Sequence, residues 1–169
     1  MKKRNIVICG AVLLVLIAAI AVLSLANRPD TGADSSVLTV KHNGETVKSY
    51  TFEQLAAMQS VTRYKAIASS SFSDEEGNWQ GIPLCNLISD AGIELAADGQ
   101  ITAVAADGYA MNYSAADILG SDSALLIYAK DGSGLGTMDD GGSGPFRILF
   151  MDDEFGSRSA KYVCEIDVK

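Results

Sequence analysis

The sequence is poor in the residues from which metal sites and nucleophilic active sites are built. Three cysteines and one histidine occur among its 169 residues, and only Cys85, Cys164 and His42 lie beyond the apolar N-terminal segment. That supply falls short of the four ligands of a structural zinc site. No serine or cysteine pattern around His42 indicates a Ser-His-Asp or Cys-His arrangement. We therefore predict neither a zinc site nor a Ser-His-Asp or Cys-His active site.

Cysteine is absent from the long stretch between Gly10 and Leu84. The two cysteines that follow, Cys85 and Cys164, are about 80 residues apart, which is not the pattern of a disulfide framework in a small scaffold. Each lies in an apolar pattern, so we expect two buried free thiols. A disulfide between them is the alternative in an oxidising compartment.

Basic residues are scarce as well. Lysine and arginine total 13 against 21 aspartate and glutamate residues, and the formal net charge is −8. Nucleic acids and anionic lipid surfaces are polyanions that attract basic proteins. We therefore expect neither nucleic acid nor an anionic lipid surface as a partner. Small molecules and cationic partners are compatible with this charge.

The N-terminus carries an uncharged apolar run, Ile6–Ala26, directly after Lys2, Lys3 and Arg4. At about 1.5 Å per residue, these roughly 21 residues span a hydrocarbon core of about 30 Å. A cleavable signal has a shorter apolar region, so a retained anchor is favoured over cleavage at Ser24-Leu25-Ala26. Basic residues before the helix place the N-terminus inside. We expect residues 1–26 to be a signal-anchor or transmembrane helix of a single-pass cell-membrane protein, 27–36 a linker and 37–169 an extracytoplasmic domain.

Local turn and capping signals divide the domain into many short strands and a few short helices. Asn43-Gly44 suits a tight hairpin, Thr51 begins a capping box, and Pro83 suits the first turn of a helix that ends near Gly92. Ser71–Asn78 is predicted to be a polar loop. Strands are predicted at Val37–Lys41, Thr46–Tyr50, Val61–Ser70, Ile101–Ala106, Tyr109–Tyr113, Ala124–Ala129, Phe146–Met151 and Tyr162–Val168, with a long loop at Asp131–Gly144. This order indicates an α+β fold.

Four short motifs carry a family resemblance. They are Phe52-Glu53-Gln54-Leu55, Trp79-Gln80-Gly81-Ile82-Pro83-Leu84, Asp107-Gly108-Tyr109 and Gly144-Pro145-Phe146-Arg147-Ile148-Leu149. In this order they resemble the oxidoreductase molybdopterin-binding domain of the sulfite-oxidase type, over Val37–Lys169. The resemblance implies mixed, curved β-sheets with short helices at the rim.

The resemblance also implies a chemistry for which a residue is missing. In active members, one cysteine thiolate on the segment before the Trp-x-Gly-x-Pro-Leu stretch binds molybdenum. The corresponding segment here, Ile67–Phe72, contains serines, and a hydroxyl is a poor substitute for a soft thiolate. Cys85 follows the motif on another element, so we assign it no metal. Molybdopterin is thus a cofactor by resemblance only, with Arg147 and Arg63 the nearest candidates for its phosphate.

Four side chains are the candidates for a ligand site: Trp79, Asp107, Tyr109 and Arg147. Trp79 would supply an aromatic cleft wall, because ligand clefts favour such walls, or else it fills the core. Asp107 and Tyr109 would place a carboxylate and a phenol at the mouth of the site, or else form a plain turn. Arg147 would contact an anion, or else pair with a nearby carboxylate.

Glycine and carboxylate clusters give weaker indications. Gly141–Gly144 would offer backbone N–H groups to an anion, but it lacks the ending of a phosphate loop and reads more simply as a connection. Asp139-Asp140 and Asp152-Asp153-Glu154 lack the alternating ligands of a calcium loop. No metal ligand is assigned.

Two functions follow from this sequence. The first is a non-redox ligand-binding or accessory module, with a small anionic or heterocyclic ligand or a membrane protein as partner. The alternative is a molybdopterin-dependent oxidoreductase with non-cysteine coordination, in which Ser69, Ser70 or Ser71 lies near the metal. A purely structural cell-envelope domain is a third hypothesis.

Overall fold

The computed structural model describes residues 36–68, 75–120 and 122–169. The strands in these ranges are β1 Val37–His42, β2 Glu45–Thr51, β3 Val61–Ile67, β4 Glu75–Pro83, β5 Gln100–Ala105, β6 Ala110–Ser114, β7 Ala124–Lys130, β8 Ser133–Gly134, β9 Arg147–Phe150 and β10 Val163–Val168. The helices are α1 Phe52–Ala56, α2 Leu84–Asp90 and α3 Ala115–Ile118, with a short 3-10 helix at Gly156–Arg158. Mixed sheets with few short helices confirm the predicted α+β class.

The first sheet has the strand order β2-β1-β10-β5-β6. Strands β1 and β10 are parallel, whereas the other neighbours in this sheet are antiparallel. Asn43 and Gly44 have φ values of 53° and 83°, as a type I′ turn requires at both central positions. The predicted hairpin between β1 and β2 is therefore confirmed.

A capping box fixes the start of α1, whereas α2 begins without a side-chain cap. The Thr51 hydroxyl accepts a hydrogen bond of 3.3 Å from the backbone N–H of Gln54. The side-chain oxygen of Gln54 accepts one of 2.9 Å from the backbone N–H of Thr51. This is the capping box predicted from the sequence. Helix α2 begins directly after Pro83 and is followed by Gly92 at a φ of 78°. Both predicted helix boundaries are confirmed.

The second sheet has the order β3-β4-β7, and β7 then bonds to both β8 and β9 on its other side. Leu126 and Tyr128 of β7 pack into a core shared with the first sheet, whereas Leu125 and Ile127 pack on the opposite face. Because β7 is covered on both faces, its sequence is a continuous apolar run. The predicted strand is confirmed, and the predicted loop that follows it contains only the two-residue strand β8.

The prediction of a polar loop at Ser71–Asn78 is wrong from Glu75 onward, because β4 begins there. Glu75 and Glu76 made this segment resemble a loop, yet Glu75 is neutralised by Arg147 across the sheet. Gly77 allows a close approach, since a Cβ there would lie 2.6 Å from the Asp131 carboxylate and from Lys130 Cε. Both features depend on partners that are distant in the sequence.

Several predictions concern residues outside the described ranges. The anchor at residues 1–26, the linker up to residue 35 and the serines Ser69, Ser70 and Ser71 all lie there. In the part of the chain that is described, the helices are too short and too polar to cross a membrane.

Candidate functional site

Three of the four predicted site residues line one cleft. Asp107, Tyr109 and Arg147 border a cavity of about 360 Å³, named here the Tyr109 cleft. They come from the turn after β5 and from the first residue of β9. The remaining walls come from β6, the 3-10 helix and the segment before β10, and consist of Met111, Gly156, Ser157, Ser159, Lys161 and Tyr162.

A second cavity of about 520 Å³ shares Lys161 with the first and is named here the glycine-loop cleft. It is lined by the loop between β8 and β9, by Glu75 at the start of β4 and by Lys130 at the end of β7. Lys161 lines both clefts. The two cavities therefore share one exposed lysine.

An ion pair joins the two clefts. Arg147 lines the Tyr109 cleft and is only 3% exposed, and its Nη1 donates to Glu75 Oε2 at 2.8 Å. Its Nε donates to the Ser159 hydroxyl at 2.9 Å. Lys130 Nζ lies 3.8 Å from the other Glu75 oxygen. The predicted alternative for Arg147, pairing with a carboxylate, is thus realised at the wall of a cleft.

The carboxylate of Glu75 is held ionised by its surroundings. Burial alone would raise the pKa of Glu75, but the hydrogen bond and charge of Arg147, with the charges of Lys130 and Lys161, hold this pKa below its ordinary value. Three cations therefore act on one carboxylate, and Arg147 is in direct contact with it. This is a concentration of positive charge in a protein whose net charge is −8.

Trp79 lies behind this cluster, in the core. Its side chain is 0% exposed, and its indole nitrogen donates to the Lys65 carbonyl at 3.1 Å. Lys130 Nζ and Arg147 Cζ lie 4.9 Å and 5.0 Å from the ring centroid, within the range of cation–π attraction. This position corresponds to the core interpretation of Trp79, and the indole supports the cations rather than the cleft surface.

Asp107 and Tyr109 form a turn at the mouth of the Tyr109 cleft. The Asp107 carboxylate accepts from the Tyr109 amide at 2.9 Å, and Gly108 has a φ of 84°. The Tyr109 side chain is 52% exposed. The turn interpretation is thus realised within the lining of a cleft, while ligand binding by these residues stays a prediction.

Backbone N–H groups of the glycine-rich loop form hydrogen bonds within the loop itself. Gly142, Ser143 and Gly144 donate backbone bonds of 2.8–3.0 Å to Thr137, Leu135 and Gly136. The loop therefore folds back on itself, as a connection does. The alternative interpretation, an anion nest at Gly141–Gly144, gains no support from this geometry.

Five further cleft residues carry no sequence signal of a site: Glu75, Lys130, Ser159, Lys161 and Tyr162. Lys161 and Tyr162 stand directly before β10, and no motif distinguishes them. Arg63, the other candidate for phosphate contact, lies on β3 at 3.7 Å from Asp122, and it is not part of either cleft lining.

In the described part of the chain, no cysteine thiol is placed to bind a metal in either cleft. Cys85 and Cys164 are both free thiols, as expected, but they are half-buried rather than buried. Burial raises the pKa of Cys164, whose Sγ is 3.5 Å from the Val104 carbonyl. Neither cysteine lines a cleft described above. Across the ranges 36–68, 75–120 and 122–169, no three His, Cys, Asp or Glu residues are grouped closely enough to hold a metal ion.

Comparison with known proteins agrees with this fold. Residues 26–169 match the family model described as the oxidoreductase molybdopterin binding domain. The crystal structure of the sulfane dehydrogenase SoxCD from Paracoccus pantotrophus is similar, with a TM-score of 0.64 and 15% identity, over 80% of this chain and 38% of that one. This likeness establishes the fold alone, and the chain spans well under half of the SoxCD chain. No curated protein matches the sequence. The family resemblance predicted from the four motifs is confirmed.

Proposed function

The chain belongs to the oxidoreductase molybdopterin-binding domain family, and on that premise we propose that it is a non-redox module that binds a small organic anion. The ligand site is the Tyr109 cleft. The observation that carries this proposal is the arrangement of Arg147 and Lys161 in a cleft whose lining contains no thiolate.

Charge supports the anionic character of the ligand. Lys130, Arg147 and Lys161 all act on the single carboxylate of Glu75, so the cluster keeps an excess of positive charge. In the lining of the Tyr109 cleft itself, Arg147 and Lys161 outnumber Asp107, and low-dielectric walls focus the field of such an excess and concentrate anions locally. Guanidinium and ammonium groups form strong charge-assisted bonds with carboxylates and phosphates.

The apolar walls support a ring in the ligand. Tyr109, Tyr162 and Met111 line the same cavity as Arg147. A cavity of about 360 Å³ lies in the size range of small-molecule sites. An aromatic or heterocyclic anion would place its charge at Arg147 and Lys161 and its ring between these walls.

We also propose that residues 1–26 anchor the module in the cell membrane, with the domain on the extracytoplasmic side. The apolar run Ile6–Ala26 after three basic residues supports this location. There the module would act alone or beside another membrane protein. Recovery of the native chain at its full-length mass in the membrane fraction is the expected result, and a soluble chain cut after Ala26 would contradict it.

The alternative function is a molybdopterin-dependent oxidoreductase whose metal is held without cysteine. Family membership and the serines Ser69, Ser70 and Ser71, at the position of the family's cysteine, favour this alternative. A catalytic member must carry metal and pterin in near-stoichiometric amounts, whereas a binding module need not.

Elemental analysis and fluorescence together test the proposal. The full chain is purified from a host that makes the cofactor and assayed for molybdenum, tungsten and pterin. We expect none in stoichiometric amount, and near-stoichiometric metal would establish the alternative. Because Trp79 is the only tryptophan and contacts Arg147, titration with benzoate is expected to change its fluorescence.

Variants locate the binding. K161Q and R147K are expected to weaken benzoate binding about tenfold or more, since bonds to charged groups are worth about 1.5–3 kcal/mol. K48Q is the matched control, because Lys48 pairs with Asp90 and lines neither cleft. Equal benzoate affinity in the wild type, K161Q, R147K and K48Q would place the anion elsewhere and contradict the proposed site.

A further inference from the structure

Glu75 occupies the position in which a ligand anion would be expected. Its carboxylate receives Nη1 of Arg147 at 2.8 Å, lies 3.8 Å from Lys130 Nζ and feels the charge of Lys161. It lines the glycine-loop cleft, while Arg147 lines the Tyr109 cleft. The ion pair therefore links the lining of one cavity to the lining of the other.

We propose that the Glu75 carboxylate is a built-in competitor for the ligand, and that the ligand is a small aromatic carboxylate that takes its place on Arg147. This inference rests on the proposed function, since it names the class of anion and the residue that limits its affinity.

The burial of Arg147 explains why an internal anion is needed. A guanidinium that is 3% exposed is costly to leave without a counter-charge. Glu75 supplies that charge when no ligand is present, and a bound carboxylate would supply it otherwise. The two anions satisfy the same bond, so they compete for it.

The Glu75 side chain is placed to move away from Arg147 as well as to bind it. Glu75 is the first residue of β4, and its side chain is 34% exposed. Rotation toward solvent would therefore hydrate the carboxylate rather than bury it. Arg147 has no such freedom, because Ser159 holds its Nε and the Trp79 ring lies against it.

A carboxylate is the class of anion that the cluster is shown to accept, since Glu75 itself is one. Its partner Arg147 offers planar donors that match a planar carboxylate. The tyrosines and Met111 of the Tyr109 cleft then favour a ring on that carboxylate over an aliphatic chain. Benzoate is the simplest probe with both parts, and acetate is the probe with the carboxylate alone.

The test is benzoate titration of the full chain, followed by Trp79 fluorescence, in the wild type, E75Q and E76Q. E75Q keeps the size of the side chain but removes the competing charge, so we expect benzoate to bind about tenfold more tightly. E76Q is the matched control, because Glu76 is the next residue, is exposed and accepts from Tyr64 at 2.7 Å. E76Q should bind benzoate as the wild type does, and acetate should bind all three proteins more weakly.

The outcomes separate the two proposals. If K161Q and R147K weaken benzoate binding but E75Q matches the wild type, the competitor role of Glu75 is overturned and the proposed function stands. If neither the wild type nor E75Q binds benzoate, the proposed function fails and this inference fails with it. Should E75Q not fold, E75D keeps the charge and withdraws it by one methylene, and a severalfold gain in affinity is expected. An unchanged affinity in E75D would overturn the inference.

Discussion

At the scale of single residues, Trp79 connects the core to the candidate site. It is fully buried, its indole N–H donates to the Lys65 carbonyl, and its ring makes cation–π contacts with Lys130 and Arg147. A cation on an aromatic ring is stabilised most when it is desolvated. The same side chain therefore fills the core and fixes two of the three cations around Glu75.

Replacement of Trp79 by phenylalanine tests this double role. W79F leaves the Lys65 carbonyl without its donor, creates a small cavity and weakens both cation–π contacts. We expect the free energy of unfolding to fall by about 2 kcal/mol, measured by urea unfolding with far-UV circular dichroism. Y64F is the control, because the Tyr64 hydroxyl bonds only at the surface, to Glu76. Equal losses in the two variants would contradict the role assigned to Trp79.

Some residues of the candidate site are predictable from the sequence, whereas others are not. Arg147 and the Asp107-Tyr109 turn belong to motifs, so they were predicted and now line one cleft. Glu75 and Lys161 carry no local signal. Their relevance arises from packing, since Arg147 and Glu75 are 72 positions apart in the chain. The charge cluster is a tertiary feature that no short pattern encodes.

At the scale of elements, the loop between β8 and β9 forms one side of the glycine-loop cleft. Gly142 lies where this loop crosses itself, and a Cβ there would be 2.3 Å from the Leu135 carbonyl oxygen. A side chain at this position would collide with backbone, which cannot yield as a side chain can. The loop therefore requires glycine for close approach.

Substitution of this glycine by alanine should distort the loop. We expect G142A to lose about 1–3 kcal/mol of unfolding free energy, the usual cost of overpacking, together with weaker benzoate binding. G134A is the control at the end of β8, directly before the loop, because a Cβ at Gly134 would meet nothing within 4 Å. A G142A variant as stable as G134A would show that the loop tolerates a side chain there.

Elements with local signals were predicted correctly. The Asn43-Gly44 turn, the Thr51 capping box and the apolar run of β7 each encode their structure within a few residues. The first half of β4 has no such signal, since its acidic residues become compatible with a strand only after Arg147 of β9 pairs with Glu75. Long-range neutralisation cannot be read from a local pattern.

At the scale of the whole molecule, acidic side chains dominate the charge, and several are held by cationic partners. Arg158 binds Asp153, Arg147 binds Glu75 and Lys48 binds Asp90. The hydrogen bond from Arg158 is the main reason that the pKa of Asp153 lies below its ordinary value. The pKa of Glu75 and that of Asp90 are lowered as well.

These lowered pKa values predict acid sensitivity. A carboxylate whose pKa is lower in the folded state binds fewer protons there than in the unfolded chain, so its stabilisation is present above the unfolded pKa of about 4. That stabilisation is lost as the pH falls through the folded pKa. We therefore expect a thermal midpoint that is steady from about pH 7 to pH 5 and falls below about pH 4.

The contribution of one pair is measured with D153N. The free energy of unfolding of this variant near pH 7 should be lower by about 1 kcal/mol, a modest value because Arg158 is partly exposed. On acidification, its free energy of unfolding should fall less than that of the wild type. D139N, at an exposed aspartate of the glycine-rich loop, is the control and should keep the wild-type pH profile. Parallel profiles for D153N and the wild type would mean that Arg158 and Asp153 do not contribute to acid sensitivity. The acid response would then have to come from the other paired carboxylates, Glu75 foremost, since it is held by the buried Arg147.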